Sequence, residues 1–488
     1  MASPASAGRV GRDLTEGPIF SSLFTFAMPV ILANVIQQLY GMVDLAVAGK
    51  YVGSIGTVGV NTGGEMADLV LPVAVGCATA GQIYIAQLVG AKDHSGTKRT
   101  VSTLLTFTLL LSVVLAVLTI AFTGPILNLL NCPEDSMEQA TAYMVITALG
   151  FPFVFGYNAV CGLLRGMGES KRPLLFIIIA AVVNIFADLI LVAVFRLEAA
   201  GTAIATVLSQ IGSCGAAVYY LYKCRDKFDI KFDRTFVQMD VRTLGTLIRL
   251  AVPQIARSLL VRFGLLYVNA NVNAYGTEVS ATNGVGNKIQ KFLEVFMQGV
   301  DTASAAMVGQ NLGAKKPERA RKVTWCTLGM TMSIAAIVSV IGVVWAKEIF
   351  GLFSDDQLVL SMGVVYMQFM VIHFFSSAFV GAFQAMVTGC GFVSLGFAIG
   401  VLDGLVCKIC LSLMFLPLFN DATGIFAFFC NEIPEVVTAQ VMATEVGAIH
   451  NFGYLAYFLG IACSRILPGI LCFAYFLSGK WKTRKLLT

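Results

Sequence analysis

Twelve apolar stretches, each about the 20 residues that a helix needs to cross hydrocarbon, run along this chain and sort into two sets of six that repeat one another. They lie near 20–45, 56–84, 101–123, 139–161, 174–195 and 200–222, then near 247–271, 280–308, 324–346, 360–384, 394–417 and 453–477. A chain that is 57% hydrophobic and 12% charged, with a mean hydropathy of +0.80, lies far from soluble globular composition. In lipid, every backbone polar group must be satisfied within the segment, so long apolar runs of this kind fold as helices. The expected fold is all-α: a polytopic membrane protein with 12 transmembrane helices in two pseudo-symmetric six-helix bundles.

The repeat is legible residue by residue. Gln87, Gly90, Ala91 and Lys92 recur as Gln310, Gly313, Ala314 and Lys315, an offset of 223 residues. Tyr143 and Met144 recur as Tyr366 and Met367, Gly166 and Gly168 as Gly389 and Gly391, and Pro29 as Pro253. Six segments per copy make the copies parallel, related by an axis along the membrane normal, with a substrate path expected at the seam between them. The domains expected are a cytoplasmic tail (1–18), a first lobe (19–225), a cytoplasmic linker (226–243), a second lobe (244–479) and a basic cytoplasmic tail (480–488). The linker region, KCRDKFDIKFDRTFVQMDVRT (223–243), reads as a polar connector with a surface-lying amphipathic stretch. The second lobe carries extra residues at about 421–450, where Asp421, Glu432, Glu435 and Glu445 occur without Lys or Arg, as in an outer loop.

Basic residues set the orientation. With both termini cytoplasmic, the outer loops hold only Lys50, Arg196 and Lys347, while Lys98, Arg99, Lys171, Arg172 and the run Lys315 to Lys322 fall inside. The net charge of +5 is therefore a topology signal, and nucleic acid is not an expected partner. A multi-pass protein of the plasma (inner) membrane follows, monomeric, with its first helix an uncleaved signal anchor. The twelve cysteines lie almost wholly in apolar segments, where Cys acts as a small hydrophobe, and the Cys407/Cys410 pair is read in the same way.

Enzyme chemistry finds no footing. The chain has no GxxxxGK[ST] phosphate loop, no HExxH, no GxSxG and no aspartate-rich diphosphate motif. No cofactor is expected beyond a coupling ion, H+ or Na+.

Ionisable residues at bilayer depth are functional candidates because burying them is expensive. The first copy has Asp44, Glu65, Asp68 and Asp188 in its segments, and the second has Arg257, Arg262, Lys288, Lys291, Lys408 and Arg465 against Glu294, Asp301 and Asp403. Asn184 and Asp188 stand four residues apart on one helical face, a carboxamide beside a carboxylate that suits a proton or a small cation. Asn34, Gln37 and Gly41 lead at helical spacing to Asp44, and Thr206 could add a hydroxyl. Helix-to-helix hydrogen bonding is the alternative for the neutral groups. At the repeat offset, Glu65 and Asp68 match Lys288 and Lys291, which suggests an inter-lobe charge pair closing the outer mouth of a cavity in the inward-facing state; a local Lys291–Glu294 pair is the alternative. Pro29, 15 residues before Asp44, removes a backbone hydrogen bond and marks either a hinge or a static kink. His373, in the tenth segment, is read as a hydrogen-bonded structural histidine.

The runs AMPVILANVIQQLYGMVDLAVAGKYVG, AQLVGAK, VGQNLGAKKPERARK, RGMGESKRP and FLSGKWK together resemble the multidrug and toxic compound extrusion (MATE) family over nearly the whole chain. The resemblance implies a central cavity opening alternately to each side and export of organic, cationic or amphipathic compounds in exchange for H+ or Na+. It implies a first-helix acid at Asp44, a bending proline at Pro29, and an ion site, possible for Na+ as well as H+, at Asp44, Asn184 and Asp188 with Thr206. Asn34, Gln37, Tyr40, Arg257 and Arg262 become candidates for lining the substrate cavity. Some members use acids in the seventh and tenth helices; here the seventh carries Arg257 and Arg262, and the tenth has no acid. The rival expectation is a lipid-linked saccharide flippase of the same superfamily, favoured by a basic groove.

Overall fold

The computed structural model describes residues 11–225, 239–419 and 452–482, together with 433, 435–442, 444 and 446. Residues 1–10 and 483–488 of the tails, 226–238 of the linker and most of the extra segment of the second lobe lie outside the described residues. Each expected apolar stretch is helical: α1 Ile19–Tyr51, α2 Gly53–Ala91, α3 His94–Ala121, α4 Glu134–Leu149 with Phe151–Gly166, α5 Lys171–Val194 and α6 Glu198–Lys223. The second lobe follows with α7 Val241–Asn273, α8 Thr277–Gly313, α9 Pro317–Val344, α10 Gln357–Gly389, α11 Ser394–Phe419 and α12 Gly453–Leu477. No strand occurs among the described residues.

Local chemistry explains the ends and the breaks. Asp93 caps α3 by accepting the Gly96 amide at 2.8 Å, and that bond holds its carboxyl below the usual carboxylate range. Asp240 caps α7 in the same way through Thr243, with the same effect on its carboxyl. The α4 pair is bent by 43° at Gly150, just before Pro152, which has no amide hydrogen to carry the ladder across. Both α5 and α11 contain a π-turn, Leu189–Val194 directly after Asp188 and Leu402–Cys407 around Asp403. By length and composition ten helices qualify as membrane spans, eleven with the bent α4 pair. The twelfth, α8, is too polar to qualify on hydropathy, carrying Lys288, Lys291, Glu294 and Asp301. It packs as the counterpart of α2.

Within the lobes, α2 packs on α4 and α5 on α6, while α8 and α9 both pack on α10. Between the lobes, α1 meets α8, α2 meets α7, and α2 meets α8. These seams obey the repeat. A Cβ on Gly76 would run into Ile255 of α7, and one on Gly299 into Ile31 of α1. The outer surface is apolar, with Val113 and Val117 of α3 and Ile337 and Val340 of α9 exposed, as a lipid-facing surface requires.

Candidate functional site

The strongest repeated motif builds the closed end of the seam. Gln87 Nε2 donates to the Gly389 carbonyl at 2.8 Å, and Gln310 Nε2 donates to the Gly166 carbonyl at 2.9 Å. Each lobe thus hydrogen-bonds the other through the same pair of residues. Gly90 lies against the Gln310 carbonyl and Gly313 against the Gln87 carbonyl, so neither position has room for a Cβ. The segment before α1 straps this end. The Arg12 amide donates to Gly168 of the first lobe, buried Leu14 donates through its amide to Gln310 Oε1, and Asn311 Nδ2 donates back to the Leu14 carbonyl. Lys316 and Arg319 hold the next two carbonyls, Thr15 and Glu16.

Gly313→Val should force this end apart. Overpacking of this kind costs about 1–3 kcal/mol, enough to shift a two-state gate by about 5- to 150-fold. Spin labels at Ser95 and Arg321 should report a population at longer distance; an unchanged distance distribution would show that the seam does not govern closure.

Midway along α2 and α8 lies a cavity of ≈ 450 Å³ lined by both lobes, within the usual range for organic ligands. Carboxamides dominate its polar surface, among them Asn34 and Gln37 of α1, Gln82 of α2, Gln298 of α8 and Gln384 of α10. Its charged groups are Arg165, Arg257 and Asp301. Arg165 donates to Gln82 Oε1 at 2.9 Å, and Gln82 donates across the seam to the Thr302 carbonyl at 2.9 Å. Of the residues expected to line the cavity, Asn34, Gln37 and Arg257 do so. Tyr40 instead lies beside Asp44, and Arg262 is engaged elsewhere.

In the first lobe, Asp44 of α1 and Asp188 of α5 bring their carboxyl groups within reach of each other. Asn184 and Asp188 are fully buried. Asp44 Oδ1, both Asp188 oxygens and Asn184 Oδ1 are buried and accept no hydrogen bond from an amide, hydroxyl or cationic group, so the two carboxyls have only each other. A cluster of hard oxygen acceptors without donors fits a proton or a small cation, since an unsatisfied buried acceptor is otherwise costly. Thr206 is half-buried on α6 and donates to neither Asp188 oxygen. Tyr143 of α4 is buried within electrostatic range of Asp44, Asp68 and Asp188, and the sequence did not single it out as a site residue. Its recurrence as Tyr366 was the available signal.

The inter-lobe charge contact exists, but with a different cation from the one expected. Arg262 of α7 binds Glu65 at 2.9 Å and Asp68 at 3.1 Å, and also donates to the Asp68 carbonyl. Lys288 and Lys291 are exposed on α8 and form no ion pair among the described residues. The repeat aligned α8 with α2, yet α2 meets α7 as well, and the longer reach of a guanidinium from that helix takes both acids. The alternative Lys291–Glu294 pair is also absent, because Glu294 turns into the second lobe. Arg262→Ala should weaken the contact by about 0.2–1 kcal/mol, the range for half-exposed pairs, while Lys288→Ala and Lys291→Ala should not. Thermal melts of the three variants and of a Glu65→Arg, Arg262→Glu swap check this; equal losses for all three single variants would contradict it.

The second lobe buries a larger network that spacing did not reveal. Arg465 Nη1 donates to Glu294 at 3.1 Å and to Ser377 at 2.7 Å, and its Nε lies 3.8 Å from Asp403. Lys408 completes Asp403 at 3.3 Å across the π-turn. His373 bonds Glu294 and also Gln290, which in turn accepts from Tyr366. His373 is thus the hydrogen-bonded buried residue that was expected.

Comparison with known proteins bears on the whole chain. The MatE family profile matches twice, at residues 29–190 and 253–414, which is the duplication read from the sequence. The probable multidrug resistance protein YoeA of Bacillus subtilis (strain 168) is 30% identical over 355 residues, 71% of this chain and 76% of that protein. The probable multidrug resistance protein YpnP of the same organism is 24% identical over 98% of this chain and 99% of its own length. In fold, the chain resembles a multidrug resistance MATE family transporter of the MOP superfamily solved in an outward-facing conformation, with a TM-score of 0.84 at 18% identity over 97% and 98% of the two chains.

Proposed function

The chain belongs to the MatE family, and from that premise we propose that it is a secondary antiporter that exports organic amphipathic compounds in exchange for H+ or Na+. Members of this family are membrane transporters, not enzymes, and the relatives above carry multidrug resistance names. The observation that carries the coupling reading is the Asp44, Asn184 and Asp188 cluster, whose buried oxygens lack donors. Cation or proton entry there changes the charge beside α1, which also carries Asn34 and Gln37 into the cavity. Pro29 leaves a gap in the hydrogen-bond ladder of that helix and serves as its hinge. Substrate affinity must differ between the loaded and empty forms of the acid cluster for exchange to be coupled.

The Lys and Arg distribution supports a cytoplasmic location for both termini, which makes the Gly90/Gly313 seam the inner gate, closed in this structure. The seam links identical positions of the two lobes, so one chain supplies a complete path and a monomer suffices. The flippase reading loses ground because Arg262 is taken up by Glu65 and Asp68, leaving too few convergent cations for a diphosphate.

The test is transport by the purified protein in liposomes with a pH gradient and a sodium gradient imposed separately. Substrate accumulation driven by one of them supports antiport and names the ion; movement that ignores both would overturn it.

A further inference from the structure

Of the three charged side chains that line the cavity, Arg257 and Asp301 make no ion pair or side-chain hydrogen bond among the described residues. Three other cations of the second lobe are paired, Arg262 with two carboxylates, Arg465 with two and Lys408 with one, while Lys288 and Lys291 stand exposed away from the cavity lining. Arg257 has no ion pair or hydrogen bond among the described residues, although it lines the cavity. Asp301, on the facing α8, has a buried Oδ1 that accepts nothing. Each lies within electrostatic range of the other, but Asp403 acts more strongly on Arg257 and Arg465 more strongly on Asp301, and no nitrogen–oxygen approach between Arg257 and Asp301 falls within the 4.0 Å of an ion pair. A gap therefore separates the Arg257 guanidinium from the Asp301 carboxylate, and neither closes an ion pair across it.

Glycines of neighbouring helices pack against both residues. A Cβ on Gly381 of α10 would strike the Asp301 carboxylate, and a Cβ on Gly400 of α11 would strike Arg257 at its Cα and Cβ. Gly381 thus leaves room for the Asp301 carboxylate, while Gly400 lets α11 approach the root of the Arg257 side chain. Keeping both desolvated and unpaired is expensive, and a ligand carrying the complementary charges removes that cost.

Resting on the transport role given above to this cavity, we propose that it selects zwitterionic amphipaths, the anionic group docking on Arg257 and the cationic group on Asp301. The planar guanidinium offers a fork suited to a carboxylate, sulfonate or phosphate, and Asp301 accepts an ammonium. The carboxamides around them adapt to either polar end, while Val30, Leu71 and Val75 receive the apolar body. A purely cationic ligand would leave Arg257 uncompensated beside it, and a purely anionic one would do the same to Asp301.

Three dansyl probes with one hydrophobic body separate these cases: Nε-dansyl-lysine (zwitterion), dansylcadaverine (cation) and 6-(dansylamino)hexanoate (anion). Equilibrium binding is read by dansyl fluorescence on the full chain in lipid nanodiscs, without a gradient. The zwitterion should bind tighter than either relative by on the order of tenfold. Arg257→Gln should erase its advantage over the cation, and Arg257→Lys should retain part of it. Asp301→Asn should erase its advantage over the anion. Thermal melts confirm that each variant is folded, and loss of all binding by a folded Arg257→Gln counts for the proposal when Arg257→Lys restores the order of probes. Equal affinity for cation and zwitterion in the unaltered protein, an order unchanged by Arg257→Gln, or no saturable binding of any probe overturns it. Because no gradient is imposed, zwitterion preference with no gradient-driven transport would sink the antiport reading alone, whereas driven export of a cation without that preference would sink the present inference alone.

Discussion

Asp188→Asn should leave a folded, substrate-binding protein whose transport no longer follows an ion gradient. The change is nearly isosteric and keeps the packing of α5 on α6, but it removes one of two facing carboxyls at a site where Asp44, Asn184 and Asp188 present oxygens without donors. Coupling between two sites is commonly about 1–3 kcal/mol, so gradient-driven uptake into liposomes should fall by about 5- to 150-fold while probe binding persists. The competing explanation makes a distinct prediction. If the acids only join helices, asparagine can donate as well as accept, should satisfy its orphaned neighbours, and should raise the melting temperature with transport intact. Uptake by Asp188→Asn that still tracks the gradient would falsify the coupling role of this residue.

Arg465→Ala should cause the largest loss of stability. Among the described residues, Arg465 is the one side chain that touches both Glu294 and Asp403, two buried acids of the second lobe. Removing it leaves Glu294 with His373 and Gln290, and Asp403 with Lys408 and Ser464. Two estimates bracket the outcome. Hydrogen bonds between membrane helices are worth about 0.6 kcal/mol on average, whereas stripping the partner from a buried charge costs about 3–5 kcal/mol. Glu294 is 5% and Asp403 4% exposed, which selects the larger figure. Arg465→Lys should fall between, since an ammonium keeps the charge but cannot span both carboxylates with a fork. Thermal unfolding in one detergent measures all three proteins; an alanine variant that melts with the unaltered protein would mean that Glu294 and Asp403 carry no net charge or find water.

Much of this was legible in the chain. Apolar runs of membrane length specify helices regardless of their neighbours, because lipid offers the backbone no alternative partner. The repeat also foretold the seam: Gln87 with Gln310 and Gly90 with Gly313 recur because each lobe makes the same contact on the other. Asn184 and Asp188 could be paired from their spacing, since positions four apart share a helical face. Their approach to Asp44 could not be so paired, because α1 and α5 are joined only by packing.

What spacing along one helix cannot encode is rotation against a neighbour, and there the tertiary structure decided. Lys288 and Lys291 occupy the right repeat positions, yet Arg262 on another helix reaches Glu65 and Asp68. Glu294, His373, Asp403, Lys408 and Arg465 come from four separate helices, and no periodicity announces their convergence. The sequence by itself determined that this chain forms membrane helices in two equivalent lobes, because hydrophobicity and duplication are properties of the chain alone. Only the packed structure decided which charges are paired and which, like Arg257 and Asp301, are left facing the cavity, because that depends on distances between helices.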